Sequence, residues 1–290
     1  MNITQLKYFQ TVCIYGTVSA AAEYLYISQP SLSAAIKELE EEFGVALFRR
    51  HHKGMTLTEE GEILFKLSND LLLKVEDIER IMNDMGVNKK ILRLGVPPMI
   101  GSLILPKIFR EFSLLAPDIQ IEIVEAGSRQ LLNYLDDGRI DAAFITHNTA
   151  FFEQYKSIPV SKFEIVCCTN KDSDLSNLDI VSAEQLKDRP IVMFKNSFFQ
   201  TEAIKKWFSE SNITPNVILQ TDQLSTLSNI ISEGVAVGFM FKQLISKTSS
   251  LIAIPTKTPI NAQMSFVWRA KTGLFNSMKT FIEYIKTTKI

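Results

Sequence analysis

The sequence predicts an α/β protein with an all-α, winged-helix N-terminal domain: a winged helix-turn-helix, a long linker helix, and a two-lobed α/β domain. Three observations carry this. Two helical stretches joined by a brief polar break fill residues 19–44, and a basic hairpin pattern follows them. A proline-free stretch from Glu59 to Met85 then repeats apolar residues three and four apart. Beyond it, apolar strand-like runs alternate with helical stretches to the end of the chain.

With 290 residues, 46% hydrophobic and 22% charged, the chain is long enough for more than one core and ordinary for a soluble protein. The formal net charge of −1 does not by itself point to nucleic acid, so any such reading rests on local geometry. Cys13, Cys167 and Cys168 form no metal-ligand set and no disulfide framework, which points to a reducing compartment. The opening "MNITQLKYFQ" is amphipathic rather than signal-like, and no apolar run is long enough to span a bilayer. A cytoplasmic protein with no cofactor, no metal and no membrane partner is the expectation.

Ile3, Leu6, Phe9 and Val12 recur at helical spacing, with Thr4 the expected cap and Gly16 the stop. A second helix is expected near Ser19, its hydroxyl capping. Ala20, Ala21 and Ala22 let a neighbour approach, and Leu25 anchors. The third helix is the informative one. Ser28 suits an N-cap, Pro30 tolerates the first turn, and Leu32, Ile36, Leu39 and Phe43 form one apolar stripe before Gly44. Its other face opens with Gln29, Ser31 and Ser33, short neutral side chains suited to base edges and phosphates. That is the pattern of a recognition helix entering the major groove by its N-terminus. Lys37 is counted with these candidates. A capped surface helix with no partner is the alternative reading.

In "VALFRRHHKGMTLTEEG", Val45, Leu47 and Phe48 lead into Arg49, Arg50, His51, His52 and Lys53, and the extended pattern resumes after Gly54. This reads as a hairpin with a basic tip, a wing that can hold the DNA backbone or enter the minor groove. A solvated basic loop is the alternative. The two histidines have no spaced cysteine or carboxylate partners, which excludes a metal site.

These residues resemble the N-terminal domain of the LysR-type transcriptional regulators. The resemblance rests on Ala21, Ala22, Leu25, Ser28, Gln29, Pro30, Leu32, Ser33, Ile36, Leu39, Glu40, Gly44, Leu47, Phe48, Arg50, Leu57, Thr58 and Gly61. It implies that Gln29, Pro30, Ser31 and Ser33 face DNA and that Arg50 and Lys53 of the wing touch it. Many family members carry a longer polar or basic residue after the second serine, where this chain has Ala34 and Ala35. A contact is thereby removed. Glu38, Glu40, Glu41 and Glu42 make the later turns acidic, an end expected to point away from phosphate.

Thr58 is the expected cap of the long helix. Ile63 or Leu64, Leu67, Leu71, Val75, Ile78, Met82 and Met85 approach heptad spacing, with Lys74, Glu76, Asp77, Glu79 and Arg80 around them. One long helix lying on its own domain is the alternative, and the resemblance favours a dimerising linker. A dimer would read a palindromic double-stranded operator. Residues 86–90 look like a hinge. The expected division is 1–58 for the DNA-binding domain, 59–86 for the linker and 87–290 for the effector-binding domain.

In the last part, "ILRLGVPPM", "PDIQIEIVEAG" and "IDAAFIT" read as strands. Helices are expected at about 103–115 and 128–138, a pattern for a parallel sheet covered on both faces. A second unit begins near Lys162, with strands in "FEIVCCTN", "RPIVMFK", "NVILQTD" and "GVAVGFMF" and helices at about 183–187, 199–210 and 223–232. "AQMSFVWRA" is expected to return to the first unit, and a final helix runs from Phe275 to Ile285. Lobe I is then about 91–161 plus 267–290, and lobe II about 162–266. Two lobes joined by two crossings make a cleft at the strand ends.

The resemblance identifies this part as an effector-binding domain shaped like periplasmic solute-binding proteins. The landmarks are Leu105, Pro106, Phe112, Pro117, Leu135, Gly138, Asp141, Gly234 and Gly238. Carrying the family's loops across places Pro98, Met99, Ile100, Gly101 and Ser102 on one wall, with Ser102 expected to cap the next helix. Ser128, Arg129 and His147 follow the next strands, and Asn196, Ser197 and Gln200 come from the other lobe. Polar groups at helix starts suit a small anionic effector such as a carboxylate. For Arg129 a plain surface position, and for His147 a satisfied cleft-edge position, are the alternatives. An enzyme is disfavoured: no glycine-rich nucleotide fingerprint follows a strand, and "SEGVAVG" lacks the nucleophile-elbow order. Near-neutral charge argues against a nonspecific DNA binder. The expectation is a homodimeric or homotetrameric regulator of transcription.

Overall fold

The computed structural model describes residues 1–51, 54–86, 90–148, 153–245, 250–271 and 273–288. The chain divides into two compact units, Met1–Arg80 and Ile81–Ile290.

The first unit holds helices α1 (Ile3–Tyr15), α2 (Val18–Tyr24) and α3 (Gln29–Phe43), a hairpin of β1 (Phe48–His51) and β2 (Gly54–Leu57), and most of α4 (Glu59–Met85). Two expected caps move. Asn2, not Thr4, caps α1: its side chain accepts from the Gln5 backbone N–H, and the Gln5 side chain accepts from that of Asn2. Thr17, not Ser19, caps α2, and the Ser19 hydroxyl instead donates to Gln29 Oε1 at 3.0 Å. Both corrections have one cause. Each helix starts two residues before the expected cap allows, and its true cap precedes the first apolar residue, Ile3 or Val18. The remaining caps are as read. Ser28 caps α3, Gly44 closes it in the left-handed region, and Thr58 Oγ1 accepts from the Gly61 N–H at 3.0 Å.

Phe9, Val12, Ala21, Ala22, Leu32, Ile36, Leu39, Leu47 and Phe48 form the core of this unit, with the Phe9 and Phe48 rings 5.3 Å apart. The expected stripe of α3 is therefore shorter by one residue, since Phe43 is 45% exposed. Glu40 is not merely part of an acidic surface. Its Oε1 accepts from the N–H groups of Leu47 and Phe48 and ties the wing to α3.

In the second unit, β3 (Lys90–Val96), α5 (Pro98–Leu115), β4 (Ile119–Glu125), α6 (Ser128–Asp136) and β5 (Ala142–His147) follow in alternation. The three strands are parallel to one another, with β3 between the others. Then come the long strand β6 (Tyr155–Asn170), a 3-10 turn at Glu184–Leu186, β7 (Ile191–Phe194), α7 (Phe199–Ser209), β8 (Val217–Thr221), α8 (Leu224–Ser232), β9 (Gly238–Phe241) and α9 (Lys242–Ile245). The chain ends with β10 (Leu251–Ile254), β11 (Ile260–Arg269) and α10 (Asn276–Thr287).

Three expectations change here. The helix expected from about residue 103 begins at Pro98, so Ser102 lies inside α5 rather than at its cap. Its hydroxyl donates back to the Pro98 carbonyl at 3.1 Å. The strand expected from about residue 162 begins at Tyr155 and runs through Pro159. β10 and α9 had no counterpart in the reading of the sequence. The second change has the larger consequence. β6 pairs with β11 over Tyr155–Ile165, and β11 also pairs with β5. The sheet is therefore mixed, ordered β10-β6-β11-β5-β3-β4 with β9 on β6, instead of the parallel sheet expected for the first lobe. β6 and β11 are the two crossings between the lobes, and the smaller sheet of lobe II is the parallel pair β7 and β8.

Candidate nucleic-acid interface and effector cleft

The turn between α2 and α3 and the first turn of α3 make a polar, exposed edge. Ser28, Gln29, Pro30 and Ser31 are exposed, and Ser33 is half-buried. Ser28 Oγ accepts from the Ser31 N–H at 3.2 Å and shares a hydroxyl contact of 2.7 Å with Ser31 Oγ. Gln29 Oε1 is held by the Ser19 hydroxyl, and the amide NH₂ has no acceptor among the described residues. Lys37 is exposed and pairs with Glu41 at 3.2 Å, one turn away along α3. Arg49 is exposed on β1. Arg50 belongs to the same strand with its side chain outside what is described, and Lys53 lies outside the described residues. Tyr26 was missed in the reading of the sequence. It is 96% exposed, has φ +55°, and stands two residues before the cap of α3. A bulky residue in the left-handed region of a short turn is its signal.

In the second unit, the residues expected in the cleft divide into two sets. One set is brought together. Gln200, in the first turn of α7, donates from Nε2 to Met99 Sδ at 3.8 Å, in the first turn of α5. The Arg129 N–H donates to the Ser197 carbonyl at 3.3 Å. Gly127 lies so close to that carbonyl that a Cβ built on it would stand 2.2 Å from the oxygen. Lobe I and lobe II thus touch at the starts of α5, α6 and α7. None of these three helices has a side-chain cap: their N-caps are Pro97, Gly127 and Phe198. The positive ends of three helix dipoles approach one another there, with the Arg129 N–H taken by the Ser197 carbonyl. Met99, Ile100 and Gly101 are buried in the start of α5, with Pro98 half-buried.

Behind them runs a polar floor. The buried Ser128 hydroxyl accepts from the Thr146 N–H at 3.1 Å and meets Thr146 Oγ1 at 2.8 Å. His147 Nε2 lies 2.9 Å from Ser265 Oγ. Thr146 and Ser265 were not singled out in the sequence. They reach this place because β5 and β11 pair with Ser265 opposite Ile145, a register that no local pattern reveals.

The other set is engaged elsewhere. Arg129 is exposed and pairs with Glu202 at 2.6 Å. Asn196 Oδ1 accepts from Lys205 at 2.8 Å and Gln220 at 3.5 Å, both in its own lobe. Ser102 is exposed on α5. Among the described residues, no group of three His, Cys, Asp or Glu side chains could hold a metal ion, and no helix is long and apolar enough to cross a membrane.

Residues 3–62 match the family model for the bacterial regulatory helix-turn-helix protein, lysR family, and residues 86–289 match the LysR substrate binding domain. An uncharacterised helix-turn-helix transcriptional regulator of Bacillus subtilis, YwbI, is 26% identical over 99% of this chain and 96% of its own length. A full-length OxyR variant from Pseudomonas aeruginosa superposes with a TM-score of 0.67 at 20% identity, covering 99% of this chain and 95% of that one. CbnR in complex with its target DNA superposes with a TM-score of 0.64 at 17% identity, covering 99% of each chain. The chain belongs to the LysR family of DNA-binding transcriptional regulators.

Proposed function

We propose that this regulator reads a palindromic operator with the first turn of α3 and responds to a small anionic effector held where α5, α6 and α7 begin. The observation that carries the DNA reading is the exposed, neutral polar edge Ser28–Gln29–Pro30–Ser31 at the capped start of α3, with the Gln29 amide foremost. Gln29 and Ser31 address base edges, Ser33 and the helix N-terminus address phosphate, and the wing, with Arg49, Arg50 and Lys53, holds the backbone. Tyr26 adds a phosphate contact from the turn. Lys37, paired with Glu41, contributes charge rather than base reading. The DNA complex of CbnR supports placing the equivalent part of the fold on a duplex.

The functional protein is a homodimer built on α4, and pairs of dimers form a tetramer. Ile63, Leu67, Leu71, Ile78, Met82 and Met85 are 42–67% exposed along one helix at near-heptad spacing, which is more apolar surface than a lone helix leaves in water. Within the first unit, Leu6, Phe43 and Leu47 line a groove with Ile63, Leu64 and Leu67 that a second copy would fill.

An anion is favoured in the cleft because three uncapped helix starts converge there while Arg129 is already neutralised by Glu202. The deciding experiment is selection of genomic DNA fragments by the purified protein beside a Gln29→Ala variant. Discrete palindromic sites lost in the variant are the expected result. Diffuse recovery unchanged by the substitution refutes the placement of the recognition helix.

A further inference from the structure

We propose that the effector carries a hydrogen-bond donor, a hydroxyl or an ammonium group, beside its negative charge. It is then a small hydroxy- or amino-carboxylate rather than a plain carboxylate. The inference rests on the anionic reading of the cleft and narrows its chemistry.

Gln200 carries the argument. It is the second residue of α7 and only 2% exposed. Its amide nitrogen faces Met99 Sδ. A thioether sulfur accepts and cannot donate, so the amide orientation is set by chemistry: nitrogen toward α5, oxygen away. That oxygen, Oε1, is buried and has no hydrogen-bond partner among the described residues. Buried carbonyl oxygens without partners are uncommon in folded proteins, and they accumulate where function needs them.

The neighbouring groups make the opposite demand. α5, α6 and α7 begin without side-chain caps, so the positive ends of their dipoles favour a negative charge. The meeting helix starts therefore favour an anion, while the start of α7 holds one acceptor seeking a donor. A plain carboxylate or phosphate answers the first demand only, because its oxygens would meet Gln200 Oε1 lone pair to lone pair. A hydroxyl or ammonium on the carbon next to the carboxylate answers both. The other polar groups of the cleft do not compete for this role. Ser128 and Thr146 satisfy each other, His147 is bonded to Ser265, and Arg129 is paired with Glu202. Gln200 is thus the residue that discriminates.

The test is calorimetric titration of the full chain with matched probes: propionate, lactate, alanine and lactamide, then butyrate with 2-hydroxybutyrate, and succinate with malate. In at least one carbon frame the donor-bearing acid is expected to bind about tenfold or more tightly than its plain counterpart. Lactamide, which keeps the donor and lacks the charge, is expected not to bind. Gln200→Leu should bring the ratio close to one. Equal binding of plain and donor-bearing acids in every frame overturns the donor requirement and leaves the anionic reading standing. Tight binding of lactamide, or no binding of any anion, overturns the anionic reading and this inference with it. The wild-type ratios decide the matter even where the variant does not fold.

Discussion

Asp84, in the last turn of α4, caps the start of α10 at Ser277. Its carboxylate accepts from the Asn276 N–H at 2.7 Å, from the Ser277 N–H at 3.3 Å, and from the Ser277 hydroxyl. Only 6% of Asp84 is exposed, and α10 has no side-chain cap from its own N-cap residue, Phe275. The end of the linker helix is therefore fastened to the final helix of the effector-binding unit by a charge at a helix N-terminus. Asp84→Ala should destabilise this unit by about 1–3 kcal/mol, since it strips two backbone donors of their acceptor. Thermal unfolding followed by circular dichroism should show a lower Tm, with Asp84→Asn falling between the two. An unchanged Tm for Asp84→Ala would remove the fastening from the account.

The apolar face of α4 makes a second prediction. Leu67 is 63% exposed and Ile78 61% exposed. Placing a charge at either position should convert the protein to monomers, because a glutamate in a helix-to-helix seam is left desolvated and unpaired. Sedimentation velocity on Leu67→Glu and Ile78→Glu should report the monomer mass. Operator affinity should fall about tenfold or more as the second half-site is lost. A dimer that survives both substitutions would place the interface on another surface.

Gly127 sets how closely the two lobes meet. All three nearest atoms to a Cβ at this position belong to the backbone of Ser197 and Phe198, the first of them 2.2 Å away. No side-chain rotation can relieve that clash. Gly127→Ala should push the start of α6 off the loop before α7 at a cost of about 1–3 kcal/mol. Anion binding should weaken with it, which titration of the variant with the carboxylate probes would measure. Binding equal to wild type would mean that the lobes need not approach there for the effector to be held.

The cysteines predict an inert protein toward thiol reagents. Burial pushes the thiols of Cys13 and Cys167 up to about 12 and that of Cys168 well above its ordinary value. With folded-state values raised so far above neutral pH, the nucleophilic thiolate is scarce throughout the range where the protein folds. Native protein at pH 8 should react negligibly with a disulfide reagent, and all three thiols should react once guanidinium unfolds it. Rapid reaction of a native thiol would show that burial does not shield it.

Much of the N-terminal unit is legible without coordinates because its determinants are local. Ser28 and Gly44 mark the two ends of α3 through their own backbone preferences. The spacing of Leu32, Ile36 and Leu39 announces its buried face. The hairpin that pairs Arg49 with Thr56 follows from a basic run between two apolar anchors. Where that reading slipped, at Asn2 and Thr17, the cap stood outside the apolar pattern used to find the helix.

The order of strands and helices in the effector-binding unit was equally a property of the sequence, because each element reports its own periodicity. The tertiary structure alone decided how they connect. Tyr155 and Arg269 become neighbours at the ends of two long strands that carry the chain between lobes, and this depends on a pairing register more than a hundred residues apart in sequence. The same holds for the cleft. Ser128, His147 and Gln200 could be named as candidates from their loops. That Ser128 is satisfied by Thr146, His147 by Ser265, and Gln200 Oε1 by none of the described residues is a fact of long-range geometry. Local chemistry wrote the elements and their ends. Which polar group remains in need of a partner emerges only when distant strands and helix starts are packed together.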